Sequence, residues 1–143
     1  MKTRTFVAIS VLFMVAFVLI GWSSTKEITI DEAMNALCHT WVNTEYTGDH
    51  TPQKDIYNKD GTYSYYIIVT DTLPTYGGTF TIEEAWTDRK GTIWIKAKRS
   101  FRGIPYAIIK ISDSGTVLEM KEFSDGWPED IKSIRFYLTY SRQ

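Results

Sequence analysis

The sequence predicts an all-β fold, an eight-stranded antiparallel up-and-down barrel preceded by one short helix. Three observations carry the prediction. From His39 onward, apolar and polar residues alternate with period two in runs rich in β-branched and aromatic side chains. Turn signals built on Gly, Asp or Asn recur between runs of about 5 to 10 residues, the spacing of an antiparallel meander rather than of βαβ units. Only Ile30 to Leu37 has helical spacing, with Ala33, Met34 and Leu37 on one side and Asp31 placed to N-cap. A helix this short must lie against something apolar.

The chain begins with Lys2 and Arg4, followed by an uncharged run from Thr5 to Trp22. This pattern reads as a secretory signal peptide over 1–23, with Gly21 and Ser23 at the small-residue positions of a cut after Ser23. The alternative is a retained anchor, because about 18 apolar residues approach the length that spans a bilayer. Either way the domain over 24–143 is expected to be exported, and to touch a membrane only through an uncleaved N-terminal segment.

The 143 residues suit one domain, and the net charge of −1 supplies no field for nucleic acid. Without Lys2 and Arg4, 14 basic against 17 acidic side chains leave −3. Cys38 is the single cysteine, so neither an intrachain disulfide nor a multi-cysteine zinc site is available.

Eight strands are predicted, at 39–46, 53–58, 62–70, 78–87, 92–101, 105–112, 116–123 and 133–142. Residue pairing tests them. A two-residue loop at Arg89-Lys90 sets Trp86 opposite Ile93, Glu84 opposite Ile95, Ile82 opposite Ala97 and Phe80 opposite Arg99. A loop at Ser114-Gly115 sets Ile111 opposite Leu118 and Ile109 opposite Met120. Around Arg102-Gly103 a two-residue loop would put Ile109 on the wrong face, so a three-residue loop or a bulge near Gly103 is expected. Closing eight such strands removes the exposed edges and leaves an interior that is filled by side chains or holds one small ligand.

The run Leu37-Cys38-His39-Thr40-Trp41-Val42 resembles the Gly-x-Trp opening of the lipocalin-like barrels exported by bacteria, although His39 stands at the usual glycine. Asp60-Gly61-Thr62-Tyr63, Gly78-Thr79-Phe80, Asp88-Arg89-Lys90-Gly91 and the closing Tyr137-Leu138-Thr139-Tyr140-Ser141-Arg142 extend the resemblance over 37–142. It implies a ligand held in the barrel, and a basic side chain from the last strand, Arg142, laid across Trp41 at the barrel base. A cation over an indole contributes about 0.5–2 kcal/mol.

Aromatic residues make up 15% of the chain, enough to wall an apolar pocket or simply to fill the core. By parity Tyr63, Tyr65, Phe80, Trp86, Phe101 and Tyr140 point inward. Glu84 and Arg99 break the inward faces, so each must find a partner, reach the barrel mouth or serve a ligand. Arg99 is the choice for an anionic headgroup. Lys96, Lys98 and Arg102 make a basic run, read either as a patch for an acidic partner or as a solvated face whose lysine stems cover Trp94.

Catalytic and metal signals are sparse. Cys38 and His39 point to opposite sides of a strand, and Asp49-His50 has no ligand spacing around it. The expected function is non-covalent binding of a small hydrophobic or amphipathic molecule, with no cofactor, no metal and no catalytic role. The alternative is a protein-interaction or inhibitor module with a filled barrel, acting through Trp94, Trp127, Tyr66 and the basic face. A small barrel enzyme using His39 or His50 is the third reading.

Overall fold

The structure, a computed structural model, describes residues 25–43, 53–101 and 103–143. The expected signal segment over 1–23, Asp49-His50 and Arg102 lie outside the described residues. In chain order the elements are β1 (Lys26–Glu27), α1 (Ile30–Leu37), β2 (Thr40–Asn43), β3 (Gln53–Tyr57), β4 (Thr62–Tyr66), β5 (Tyr76–Thr87), β6 (Ile93–Arg99), β7 (Tyr106–Ser112), β8 (Val117–Phe123) and β9 (Leu138–Arg142).

Strands β2 to β9 pair antiparallel, each with its sequence neighbour, and β2 pairs with β9 to close an eight-stranded up-and-down barrel. Strand β5 is long because it bends between two partners. Its first part, Tyr76 to Thr79, pairs with β4, and from Phe80 onward it pairs with β6. The far edge this leaves bare is met by the short β1, which pairs Lys26 with Thr87 and Glu27 with Trp86. Sequence patterning does not reveal β1, because two polar residues carry no period. Pairing with β1 covers the end of that edge, from Ala85 to Thr87.

Helix α1 occupies the predicted residues, but its cap differs. Thr29, rather than Asp31, is the N-cap: Glu32 N–H donates to Thr29 Oγ1 at 3.2 Å, and Thr29 N–H donates to Glu32 Oε2 at 2.8 Å. This reciprocal box satisfies two orphan donors at once. The helix buries Ala33 and Leu37 against the strands, in one cluster with Trp41, Ala85, Ile95, Ile111 and Leu118. The barrel is filled at this lower end, each large apolar side chain contributing about 1.5–3 kcal/mol.

The registers decide which side chains enter the barrel. Ile111 pairs with Leu118 and Ile109 with Met120, as expected from the Ser114-Gly115 turn, whose residues have φ of 58° and 87°. Ala97 pairs with Ala107, which keeps Ile95 and Ile109 on the inner face beyond the Gly103 turn. The β5–β6 hairpin follows its predicted register only from Phe80–Arg99 to Ile82–Ala97, and then a bulge leaves Glu83 without a partner. Beyond it Glu84 pairs with Lys96, Ala85 with Ile95 and Trp86 with Trp94. The expectation that Glu84 and Trp86 point inward is therefore corrected. Ala85 enters the core, while Glu84 and Trp86 join Lys96 and Trp94 on the outer wall.

The last strand begins at Leu138 rather than at 133. The preceding residues 124–137 run outside the barrel, where Trp127 packs edge-on against Tyr106 and Phe136 against Trp94, at ring separations of 4.9 and 5.9 Å.

Gly78 is a position where only glycine fits. A Cβ there would lie inside contact distance of Ser100 Oγ, 3.0 Å from Tyr63 and 3.2 Å from Tyr76. Gly78→Ala is expected to cost about 1–3 kcal/mol, read as a lower denaturation midpoint at unchanged slope. An unchanged midpoint would show that Ser100 moves aside freely.

Candidate functional site

The upper end of the barrel, away from α1, holds a cavity of about 200 Å³. Its wall is drawn from β3, β4, β6, β8 and β9 and from the residues just beyond their ends. Asp55, Tyr63, Arg99, Glu122 and Tyr140 form the polar part. Tyr65, Phe101, Met120 and Leu138 form the apolar part, and Gln53 and Tyr137 complete the lining.

Arg99 organises the polar part. It is 4% exposed, as the inward parity of Ala97 and Arg99 requires. One guanidinium nitrogen is paired with Glu122, and the other donates to the Tyr57 hydroxyl at 3.2 Å. The guanidinium centre also lies 5.6 Å from the Phe101 ring and 5.8 Å from the Tyr63 ring. Glu122 accepts a second bond from the Tyr137 hydroxyl at 3.3 Å. Burial opposes the charge on Arg99, but Tyr57 and Glu122 more than offset it, and the guanidinium stays protonated.

Asp55 is 3% exposed, and its Oδ1 has no hydrogen-bond partner among the described residues. Burial pushes its pKa from 3.8 to about 7, with Arg99 pulling the other way and the Tyr140 hydroxyl donating to it. Burial likewise raises Tyr57 to about 12 and lifts Tyr63 and Tyr140 above the ordinary phenol range. Among the described residues, three side-chain atoms with almost no accessible surface have no hydrogen-bond partner: Asp55 Oδ1, Tyr63 Oη and Arg99 Nε. All three residues border the same cavity.

Of the predicted binding residues, Tyr63, Tyr65, Arg99, Phe101 and Tyr140 line the cavity. Phe80 is buried beside it, edge-on to Tyr57 at 5.2 Å, without lining it. Glu84 lies on the outer wall with its side chain 61% exposed and is paired with Lys96 at 2.8 Å. Trp86 stacks on Trp94 at 6.2 Å, also outside. Sequence reasoning missed Asp55, Tyr57 and Glu122, although parity points to them. Asp55 and Tyr57 alternate along β3, and Glu122 follows Leu118 and Met120.

At the lower end Trp41 is fully buried and donates its indole N–H to Leu37 O at 2.8 Å. Arg142 pairs with Trp41 across β2 and β9, and its guanidinium lies 3.4 Å from His39 Nε2. His39 in turn meets the Trp41 ring edge-on at 6.2 Å. The base is thus a Trp41–His39–Arg142 cluster, with His39 in its middle.

A second, larger hollow of about 450 Å³ lies on the outer wall, between Trp86 and Trp94 on one side and Glu129, Asp130 and Ile131 on the other. The aromatic groups proposed as interaction anchors are already engaged. Tyr66 is 8% exposed beneath Lys54, Lys96 reaches the Trp127 ring, and Lys110 lies 6.0 Å from the Trp94 ring. The basic run over 96–99 is correspondingly spent: Lys96 on Glu84, Lys98 over Tyr106 and Arg99 inside the barrel.

Searches of protein-family models, of curated proteins and of solved structures return no match to this chain.

Proposed function

We propose that this barrel is an exported, lipocalin-like binding protein that holds a small amphipathic molecule non-covalently at its upper end. The observation that supports this reading is a cavity at the upper end of the barrel lined by both ionisable side chains, Asp55, Arg99 and Glu122, and apolar ones, Phe101, Met120 and Leu138. Such a lining offers an amphipathic guest polar contacts on one side and apolar cover on the other.

Size narrows the guest. Ligand cavities for drug-sized molecules run to about 300–1,000 Å³, and this one is near 200 Å³. At roughly 30 Å³ per water-sized group, it takes about seven. Among the described residues, the packed lower half leaves little room for a long acyl chain. Binding rather than catalysis is favoured because Arg99, the one cation among the described residues that line the cavity, is held by Glu122 and Tyr57, and because His39 belongs to the opposite end. Export rests on the N-terminal apolar run. The interaction-module reading is less well supported, since Trp94, Trp127 and Tyr66 are occupied within the fold.

The test is thermal denaturation with short amphiphiles at millimolar concentration. A guest present at 100 times its Kd is expected to stabilise the protein by about 2.7 kcal/mol. Leu138→Trp, which places an indole in the cavity, is expected to abolish the shift in a protein that still melts cooperatively. No shift with any compound on the wild-type protein would defeat the reading.

A further inference from the structure

Independently of the upper cavity, we infer that the hollow on the outer wall is a second binding site, and that it takes a neutral saccharide with one pyranose ring stacked on Trp86. The hollow measures about 450 Å³ and lies between Trp86 and Trp94 on one bank and Glu129, Asp130 and Ile131 on the other. At roughly 30 Å³ per water-sized group it takes about fifteen, room for a hexose ring with its hydroxyls. The bulge at Glu83 creates the site, because it turns Trp86 outward to pair with Trp94. Both indoles are half-buried, 6.2 Å apart with planes 9° from parallel, and form one aromatic plate on the barrel wall. Trp94 is the fixed part of the plate. Its Nε1–H donates to Asp88 Oδ2 at 3.1 Å, and Asp88 Oδ1 accepts from the backbone N–H groups of Lys90 and Thr92 at 2.9 and 3.1 Å. Phe136 meets Trp94 edge-on at 5.9 Å. Trp86, by contrast, makes a single ring contact among the described residues, the one with Trp94.

The chemistry of the lining selects the guest. A pyranose ring carries C–H groups on its faces and hydroxyls around its rim. The C–H face leaves water against an indole, and the hydroxyls donate to carboxylates, which in their ionised form only accept. Such bonds to a charged acceptor are stronger than neutral ones, and they ask for no charge on the guest. Recognition of this kind therefore does not depend on how the surrounding surface charges balance. A purely apolar guest would strip water from the exposed Glu129 carboxylate and return no donor. The cation–π position on Trp94 and Phe136 is already taken by Lys110, 6.0 and 5.6 Å from the two rings, which leaves stacking as the use of the plate.

The glucose tetrasaccharides cellotetraose and maltotetraose are the probes, read by nuclear magnetic saturation transfer from the purified protein to the sugar. Transfer to at least one of them is expected, strongest at ring C–H protons. Trp86→Ala, in a protein that still melts cooperatively, is expected to weaken that binding at least about tenfold. Trp86→Phe keeps an aromatic face and is expected to stay within about threefold of the wild type. No transfer to either saccharide overturns the inference. Binding that survives Trp86→Ala places the sugar elsewhere and overturns the site. A loss with Trp86→Phe as large as with Trp86→Ala overturns the stacking argument. Tetramethylammonium that displaces the saccharide at equal concentration overturns the assignment of a neutral guest. None of these outcomes bears on the amphiphile reading of the upper cavity, which the thermal shift tests separately.

Discussion

Arg99→Met is expected to cost about 3–5 kcal/mol of folding stability, among the largest effects of any single substitution in this chain. The side chains of Arg99 and Glu122 are 3% and 14% exposed, so this is an interior ion pair and not a surface pair worth a fraction of a kcal/mol. Methionine keeps much of the arginine's length and apolar stem but leaves Glu122 and Asp55 facing each other across the cavity without a cation. It also strips the Tyr57 hydroxyl of its donor. The penalty is mostly the stranded carboxylates, which makes a second substitution informative. Arg99→Met with Glu122→Leu is expected to recover most of the loss, because an apolar pair of similar volume replaces the ion pair. Urea denaturation of the two variants beside the wild type checks this. A loss under 1 kcal/mol for Arg99→Met would mean that water reaches the pair and screens it.

The parts of this fold legible in the sequence are those where one local signal dictates geometry. Ser114-Gly115 demands a tight turn with positive φ at both positions, and that turn fixes every pair from Ser112–Val117 to Tyr106–Phe123. The β5–β6 hairpin was legible only to Ile82, because Ile82-Glu83-Glu84-Ala85-Trp86 alternates acceptably in two registers. Choosing between them needs the knowledge that Trp86 finds Trp94 outside and that Ala85 fits beside Ile95 inside. The predicted burial of Glu84 was itself the warning: slipping one residue puts that carboxylate in water beside Lys96.

The site divides the same way. Arg99 stands out in sequence as a lone charge between inward alanine and phenylalanine positions. Its partner does not, because β6 and β8 are separated by β7 in the sheet, and Glu122 reaches Arg99 only across the closed interior. Parity places Asp55 and Glu122 on inner faces, but barrel closure decides which carboxylate meets the guanidinium. The one left over, Asp55, gives the cavity its character. A filled lower half supplies the stability that an under-satisfied upper half consumes, the division expected when a fold carries a site.

That leftover carboxylate sets the pH dependence of the whole domain. Asp55 has a folded-state pKa of about 7 against an ordinary 3.8, chiefly from burial. Between those values the folded protein binds a proton that the unfolded chain has released, so stability falls as pH rises from about 4 to about 7. The span corresponds to a loss on the order of 4 kcal/mol. The groups facing Asp55 are Arg99 from β6, which limits the rise, Glu122 from β8, which adds to it, and the hydroxyls of Tyr57 and Tyr140. Asp60, lowered chiefly by its bonds from Thr62, and Asp88, where burial is the largest single effect but bonds from Trp94, Lys90 and Thr92 together outweigh it, lose their contribution only below pH 4 and so act in a separate window. Wild-type stability is therefore expected to peak near pH 4–5 and decline toward neutrality. Asp55→Asn, which mimics the neutral acid and still accepts from Tyr140, is expected to match the wild type near pH 4 and exceed it by several kcal/mol at pH 8. Denaturant midpoints measured at half-unit pH intervals decide the matter. A wild-type curve that climbs from pH 4 to 7, or an Asp55→Asn protein no more stable than wild type at pH 8, would mean that Asp55 is ionised and solvated in the folded barrel. The cavity's polar end would then be open to water rather than reserved for a guest.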